Sequence, residues 1–475
     1  MTHLTILHSN DLHGRIRSLE RIATLAKQIR AEVQAQGGFC ALWDAGDAED
    51  STLFESGMTK GSAVAALLRA AGYDQATLGN STPMRYGFQV IPELSRRFGQ
   101  PLLAANMFDA MTGHLLSGLA PFAIRTFGDT QVGIIGVTAP STIYSVFKGV
   151  RVDDPIPLLP DLIAQVRAQG AQTIVLLSHL GFSEDQKVAQ QVKGIDLIIG
   201  GHSHTELNPP VVVNGTLIAQ AGEYGRFLGR LDLEIDASGK IVEHHGTLIP
   251  VDDAIAPDAD VQSAYVVEQE NVRAMTFRVI GELRGPLGKT DDQECATGNL
   301  LADALLERVK GAQIALVFAG HWQTGLEAGP LTLGVLNAAI RSTANPARVE
   351  LTGEQIRHFI IQALKPENSA RRPRNTRGIA LGWPHVAGLT AHYSPDHPDS
   401  IEIWVGDEPL QADRKYCVAG TDLEFWDAPA YPGYLAIPEN QIDLEVPIIM
   451  PEVIEEYIAH HSPLDPPALG RIKVR

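Results

Sequence analysis

Leu4-Thr5-Ile6-Leu7-His8-Ser9-Asn10-Asp11-Leu12-His13-Gly14 lies at the head of the chain. Leu4–His8 is an apolar run of strand length, and directly after it come Asp11 and His13, two good metal ligands. The arrangement recurs downstream. Phe39–Trp43 leads into Asp47, a short run at Ala76–Leu78 into Asn80, Thr173–Leu177 into His179, and Ile195–Ile199 through Gly200 and Gly201 into His202 and His204. Val132–Val137 is a further strand candidate, and Leu19, Ile22, Leu25, Ile29 and Val33 mark one face of an amphipathic helix between the first two strands. Short apolar runs alternating with helical patterns over roughly the first 250 residues indicate an α/β fold. Open sheets of that class bind ligands outside the carboxyl ends of their strands, so five strand ends each deliver a ligand to one edge.

Two aspartates, four histidines and an asparagine are too many for one tetrahedral ion and enough for two if a carboxylate bridges. Each piece alone is weak, since Asp-x-His is usually a turn or cap and an aspartate after a strand is commonly a helix N-cap. Their occurrence together at successive strand ends is what points to a dinuclear site. His8, His244, His245, His460 and His461 fall outside the pattern and read as solvated or structural. Gly57 to Ser62 lacks the leading glycine of a phosphate loop and reads as a helix start.

At 475 residues the chain is too long for one core, and 44% apolar composition is ordinary for a globular protein. Lys and Arg total 38 against 56 Asp and Glu, a net charge of −18 that argues against nucleic-acid or anionic-membrane partners. An anionic substrate must then be attracted locally. Cys40, Cys295 and Cys417 form no disulfide framework, and with neither a basic leader nor an apolar run of roughly 20 residues the expected location is the cytoplasm. Oligomeric state is not legible.

The proline- and aspartate-rich patch from Ile249 to Asp260 breaks the α/β pattern, and a polar helical segment, Val261 to Met275, follows it. The expected division is 1–255, a helical connector 256–278 and a second domain 279–475. In the second domain helices start at Thr297 and Thr352, the latter with Gln355 as a capping box, and strands are expected at Ile314–Phe318, Gly388–Tyr393, Ser400–Val405 and Tyr416–Ala419.

The runs Ser9-Asn10-Asp11-Leu12-His13-Gly14, Asp44-Ala45-Gly46-Asp47, Gly72 to Asn80, Ser178-His179-Leu180-Gly181 and Ile198 to Thr205 resemble, in order and context, the 5′-nucleotidase and cyclic-nucleotide phosphodiesterase group of calcineurin-like metallophosphoesterases. Glu294 to Leu305 is similar to the start of that family's C-terminal substrate-binding domain. The resemblance implies an α/β/β/α sandwich with mixed sheets followed by a smaller α/β substrate-binding domain. It implies that Asp11, His13, Asp47 and His204 hold one divalent metal, and that Asp47, as bridge, joins Asn80, His179 and His202 around another. Asp47, Asn80 and His179 are then the catalytic centre. The ions are manganese, zinc, iron or magnesium, since a site of oxygen and nitrogen donors does not choose among them.

The implied function is metal-dependent hydrolysis of phosphate esters of nucleotides or related small molecules by metal-activated water, of 5′-nucleotidase or 2′,3′-cyclic phosphodiesterase type. Three departures bear on the substrate. The family follows its asparagine with a histidine that assists the transition state, where this chain has Ser81; its Gly-Gly-Ile-Arg appears as Gly320-His321-Trp322-Gln323; and its late Gly-Gly-Asp-Gly-Tyr run is not recognisable. Trp383, where the family has a base-stacking phenylalanine, is a candidate substrate contact, as are His321 and the basic loop of Arg371, Arg372, Arg374 and Arg377. The alternative is a catalytically weak, metal-holding protein that binds a nucleotide-like ligand.

Overall fold

The computed structural model describes residues 1–50, 54–140, 149–340, 342–372, 380–426, 434–435 and 437–475. The chain forms two compact units, Met1–Val272 and Arg273–Arg475.

The first unit is built on two mixed sheets. One has five strands in the order Ile241–Pro250, Phe227–Ile235, Thr2–Ser9, Phe39–Asp44 and Gln75–Ala76, with the last three parallel. The other has six, Val211–Val213, Thr216–Ala219, Leu197–Gly200, Thr173–His179, Thr130–Thr138 and Phe122–Phe127, with four parallel strands inside antiparallel edges. Alternation of side chains along each strand explains the layering. Val175 and Leu177 point one way, into a core shared with Leu4, Ile6, Trp43 and Leu231 of the other sheet. Ile174 and Leu176 point the other way, onto Ile163, Val166 and Val188 of helices Leu159–Ala168 and Phe182–Gln191. Burial on both faces is why this strand reads as a continuous apolar run rather than an alternating one. The result is the expected α/β/β/α sandwich.

The helix from Ile16 to Ala35 buries Leu19, Ile22, Ala26, Ile29 and Val33, with Ala26 taking the place expected of the half-buried Leu25. The polar segment after the proline-rich patch is helix Ala259–Thr276, and the boundary between the units falls inside it. It is anchored on the first unit: Asp258 Oδ1 accepts from the Val261 amide, Lys27 pairs with Asp258 and Asp260, Arg97 pairs with Glu268, and Val261 and Val272 are buried. Few apolar positions on a mostly solvated helix conceal that anchoring from composition.

In the second unit a five-stranded sheet runs Pro384–Ala387, Ile314–Phe318, Lys415–Thr421, Pro346–Thr352 and Asp443–Leu444, beside a smaller four-stranded one. Helices Ala296–Arg308 and Gly353–Ala363 stand where expected, the second with the Thr352–Gln355 capping box formed. The strand expected at Gly388–Tyr393 is Leu389–Tyr393, set off from the preceding strand Pro384–Ala387 by Gly388 at φ 74°. No helix among the described residues is long and apolar enough to cross a membrane.

Candidate metal centre

The loops at the carboxyl ends of Thr2–Ser9 and Phe39–Asp44 are zipped together by backbone bonds: Asp11 N–H to Gly46 O, His13 N–H to Asp47 O and Gly14 N–H to Ala48 O, at 2.9, 3.0 and 2.7 Å. The tight turns this needs put side chains in the left-handed region. Eight described non-glycine residues have positive φ, and five of them are Asp11, His13, Asp47, His202 and His204. Each such residue costs about 1 kcal/mol or more and persists only where its surroundings enforce it, a pattern that gathers at functional sites. Two glycines make room. A Cβ on Gly79 would stand 2.0 Å from Asp47 Oδ1, and one on Gly201 2.6 Å from Ala45 O and 2.9 Å from His179 Nδ1.

Within this frame Asp11 Oδ1, His13 Nε2 and His204 Nε2 form a triangle with edges of 3.3, 3.3 and 3.7 Å. A cation with bonds of about 2.1 Å spans edges of that size. The donor set suits it. Asp11 is fully buried; its Oδ2 accepts from Asn10 Nδ2 and the His202 amide, whereas Oδ1 has no hydrogen-bond partner. His204 Nδ1 faces Glu223 Oε2 at 2.6 Å, so the ring donates there and turns the Nε2 lone pair inward.

The second cluster contains Asp47, His179 and Asn80. His179 Nε2 lies 3.3 Å from Asp47 Oδ2 and 3.1 Å from Asn80 Oδ1, while its Nδ1 donates to the Ala45 carbonyl at 2.8 Å. Asp11, Asp47 and His179 also offer ligand atoms within 4.8 Å of one another, so Asp11 is common to both groups. His202, itself exposed, stands edge-on to His179, ring centroids 5.2 Å apart. Burial opposes charge on His179, but the adjacent Asp47 carboxylate outweighs it and lifts its pKa to about 10. Burial would likewise raise Asp47, yet His179, His13 and the Ser81 hydroxyl hold it well below the usual carboxylate range. Around them burial pushes the carboxyls of Asp44, Glu49 and Asp185 up to about 8, 7 and 7, so the acidic surroundings carry less negative charge than their residues suggest.

The expected substrate contacts fare differently. Trp383 is half-buried, with its indole N–H unpartnered and its backbone tied to Asp291 and Ala319. His321 is fully enclosed in the second unit, Nδ1 on Ser342 Oγ at 2.6 Å and Nε2 on Glu424 Oε1 at 3.1 Å, which leaves no ring nitrogen to offer a substrate. Arg371 and Arg372 are exposed, while Arg374 and Arg377 lie outside the described residues. Sequence reasoning missed Glu223 and Asn10, which orient the ligands, and did not foresee that Ser81 bonds Asp47 through both its amide, at 2.9 Å, and its hydroxyl, at 2.5 Å. The available signal for Glu223 was Gly222-Glu223-Tyr224-Gly225 just beyond another strand end, that of Thr216–Ala219.

Residues 4–206 match the calcineurin-like phosphoesterase family and residues 279–427 match the 5′-nucleotidase C-terminal domain. The uncharacterized metallophosphoesterase YunD of Bacillus subtilis is 28% identical over 88% of this chain and 92% of its own. The 5′-nucleotidase of Bos taurus is 30% identical over 64% of this chain, which spans only 59% of that relative's length. Among solved structures, the 5′-nucleotidase precursor of Thermus thermophilus is 25% identical, with 99% of each chain covered and a TM-score of 0.56. The NAD nucleotidase of Haemophilus influenzae, 16% identical with 100% of this chain and 99% of its own covered at a TM-score of 0.65, shares the fold. With both parts matched in order, and the sandwich and strand-end ligand cluster in place, the chain belongs to the calcineurin-like metallophosphoesterases that carry a 5′-nucleotidase C-terminal domain, a family of phosphoric ester hydrolases.

Proposed function

We propose that this chain hydrolyses phosphate esters of nucleotides or related small molecules with two divalent cations, held by Asp11, His13, Asp47 and His204 on one side and by Asp47, Asn80, His179 and His202 on the other. The carrying observation is the triangle of Asp11 Oδ1, His13 Nε2 and His204 Nε2 beside the Asp47–His179–Asn80 cluster. Divalent cations bound there would supply Lewis acidity toward phosphate oxygens and a water acidic enough to attack at neutral pH.

The chain's own residues prepare that chemistry. Glu223 and the Ala45 carbonyl fix two imidazoles with Nε2 inward. Asn10 and the His202 amide occupy one oxygen of Asp11 and aim the other. Ser81, at the position of the family's histidine, spends its hydroxyl on Asp47 and stores no proton for a leaving group. Good leaving groups, as in aryl esters, cyclic diesters and pyrophosphates, should therefore be favoured over alkyl monoesters. A catalytically weak nucleotide-binding protein is the less favoured reading, because the relatives are named as enzymes and the ligand set is intact. The net charge of −18 supports a small-molecule substrate over nucleic acid, and the three free cysteines suit the cytoplasm.

The test is a screen of phosphomonoesters, cyclic diesters and pyrophosphates on protein reconstituted separately with manganese, zinc, iron and magnesium. Turnover well above the uncatalysed rate on at least one class is expected, and background rates throughout would sink the proposal.

A further inference from the structure

Arg15 follows His13 by two residues and immediately precedes helix Ile16–Ala35. Its guanidinium carbon lies 4.5 Å from the ring centroid of Tyr224. Tyr224 sets its ring at 5.7 Å and a steep angle from that of His13, and at 6.4 Å from that of His204. The platform is itself fixed to the centre, since Tyr224 has φ 59° and its amide donates to the Asp11 carbonyl at 2.7 Å. Arg15 is thus held beside the first ligand triangle by the backbone that shapes it.

Among the described residues the arginine has no electrostatic partner of its own. Other arginines of this acidic chain are paired, Arg21 with Asp253, Arg226 with Glu206 and Arg230 with Asp232. Among the described residues no carboxylate pairs with Arg15 and no acceptor takes its side-chain N–H groups; its one side-chain interaction is with the Tyr224 ring. Stacking occupies the π face of a guanidinium and leaves its in-plane donors available, the edge that recognises phosphate in a forked geometry. The adjoining helix adds to the positive field, with no acidic residue in its first turn and no side chain capping its start.

We propose that Arg15, stacked on Tyr224, is a phosphate subsite beside the metal centre that takes a substrate phosphate other than the one cleaved. The inference rests on the hydrolase reading and deepens it: the preferred substrates carry two linked phosphates, as nucleoside diphosphates and pyrophosphate esters do. A monoester places its only phosphate at the ligand clusters and leaves Arg15 idle.

The experiment measures calorimetric binding of pyrophosphate and of inorganic phosphate to metal-loaded wild type, Arg15→Ala and Arg15→Lys. Arg15→Ala should weaken pyrophosphate about 10- to 100-fold, the range for a charge-assisted contact, and phosphate less than threefold. Arg15→Lys, which keeps the charge and loses the fork, should fall between. Equal losses on both probes would mean that Arg15 grips the phosphate at the metals, and no loss on either would make it a surface arginine; either result overturns the subsite. Failure of wild type to turn over any phosphoester would defeat the hydrolase reading while the ratio of the two affinities stayed measurable.

Discussion

Replacing Glu223 by glutamine tests how the ligand cluster is oriented. The carboxylate lies 2.6 Å from His204 Nδ1, and the acceptor it provides selects the Nδ1–H tautomer of the neutral ring, with Nε2 aimed at Asp11 Oδ1 and His13 Nε2. An amide oxygen still accepts that N–H but brings no charge, so the ring becomes less basic and its tautomer less fixed. Loss of such an outer partner typically costs 10- to 100-fold in metal affinity, or about 1.4–2.7 kcal/mol. Glu223 is partly exposed, and the metal-free protein should melt close to wild type. Chelator-competition titration of the metal-free variant should show one of two affinities weakened by that factor and the other within about threefold. At saturating metal kcat should recover to within about threefold, because the ligands themselves are intact. Two affinities within twofold of wild type would refute the orienting role. So would a lasting kcat defect with unchanged metal binding, which would put Glu223 in the chemistry.

Further expectations follow from individual residues. Asp47→Asn should lower occupancy at both metal positions and abolish hydrolysis, since a neutral amide bridges cations poorly; two ions by metal analysis with activity within about threefold would contradict the assignment. Trp383→Ala should raise KM for nucleotides about tenfold and leave nitrophenyl phosphate unchanged if the half-buried indole stacks on a base; equal losses on both substrates would mark a structural tryptophan. With Ser81 committed to Asp47, wild type should turn over an aryl phosphate faster than AMP when chemistry is rate-limiting, and equal kcat values would require another proton donor. His8 is buried without a partner for Nδ1, and burial lowers its pKa from 6.5 to about 4. Its contribution to stability is therefore complete above pH 6.5 and is lost as pH falls toward 4, about 2 kcal/mol of it between pH 7 and pH 5. Urea midpoints should show His8→Gln lacking that portion of the acid sensitivity, and identical pH slopes would place the sensitivity elsewhere.

The sequence by itself determined the α/β character of the first unit and the strand-end positions of Asp11, His13, Asp47, Asn80, His179, His202 and His204. Both are local: apolar runs define the strands, and the residues just after them face the sheet's carboxyl edge whatever the rest of the chain does. The capping box at Thr352 was legible for the same reason. The hairpin Phe227–Ile235 with Ile241–Pro250, which completes the five-stranded sheet, was not, because half of Ile241–Pro250 is solvated and its alternation is broken by Glu243, His244 and His245. Only the tertiary structure brought Glu223 to His204, Arg15 to Tyr224 and Ser81 to Asp47. Only it turned His321 inward onto Glu424 and Ser342. These pairings join residues up to 209 positions apart, and no local pattern encodes a hydrogen bond whose existence depends on how separate strands close over one another.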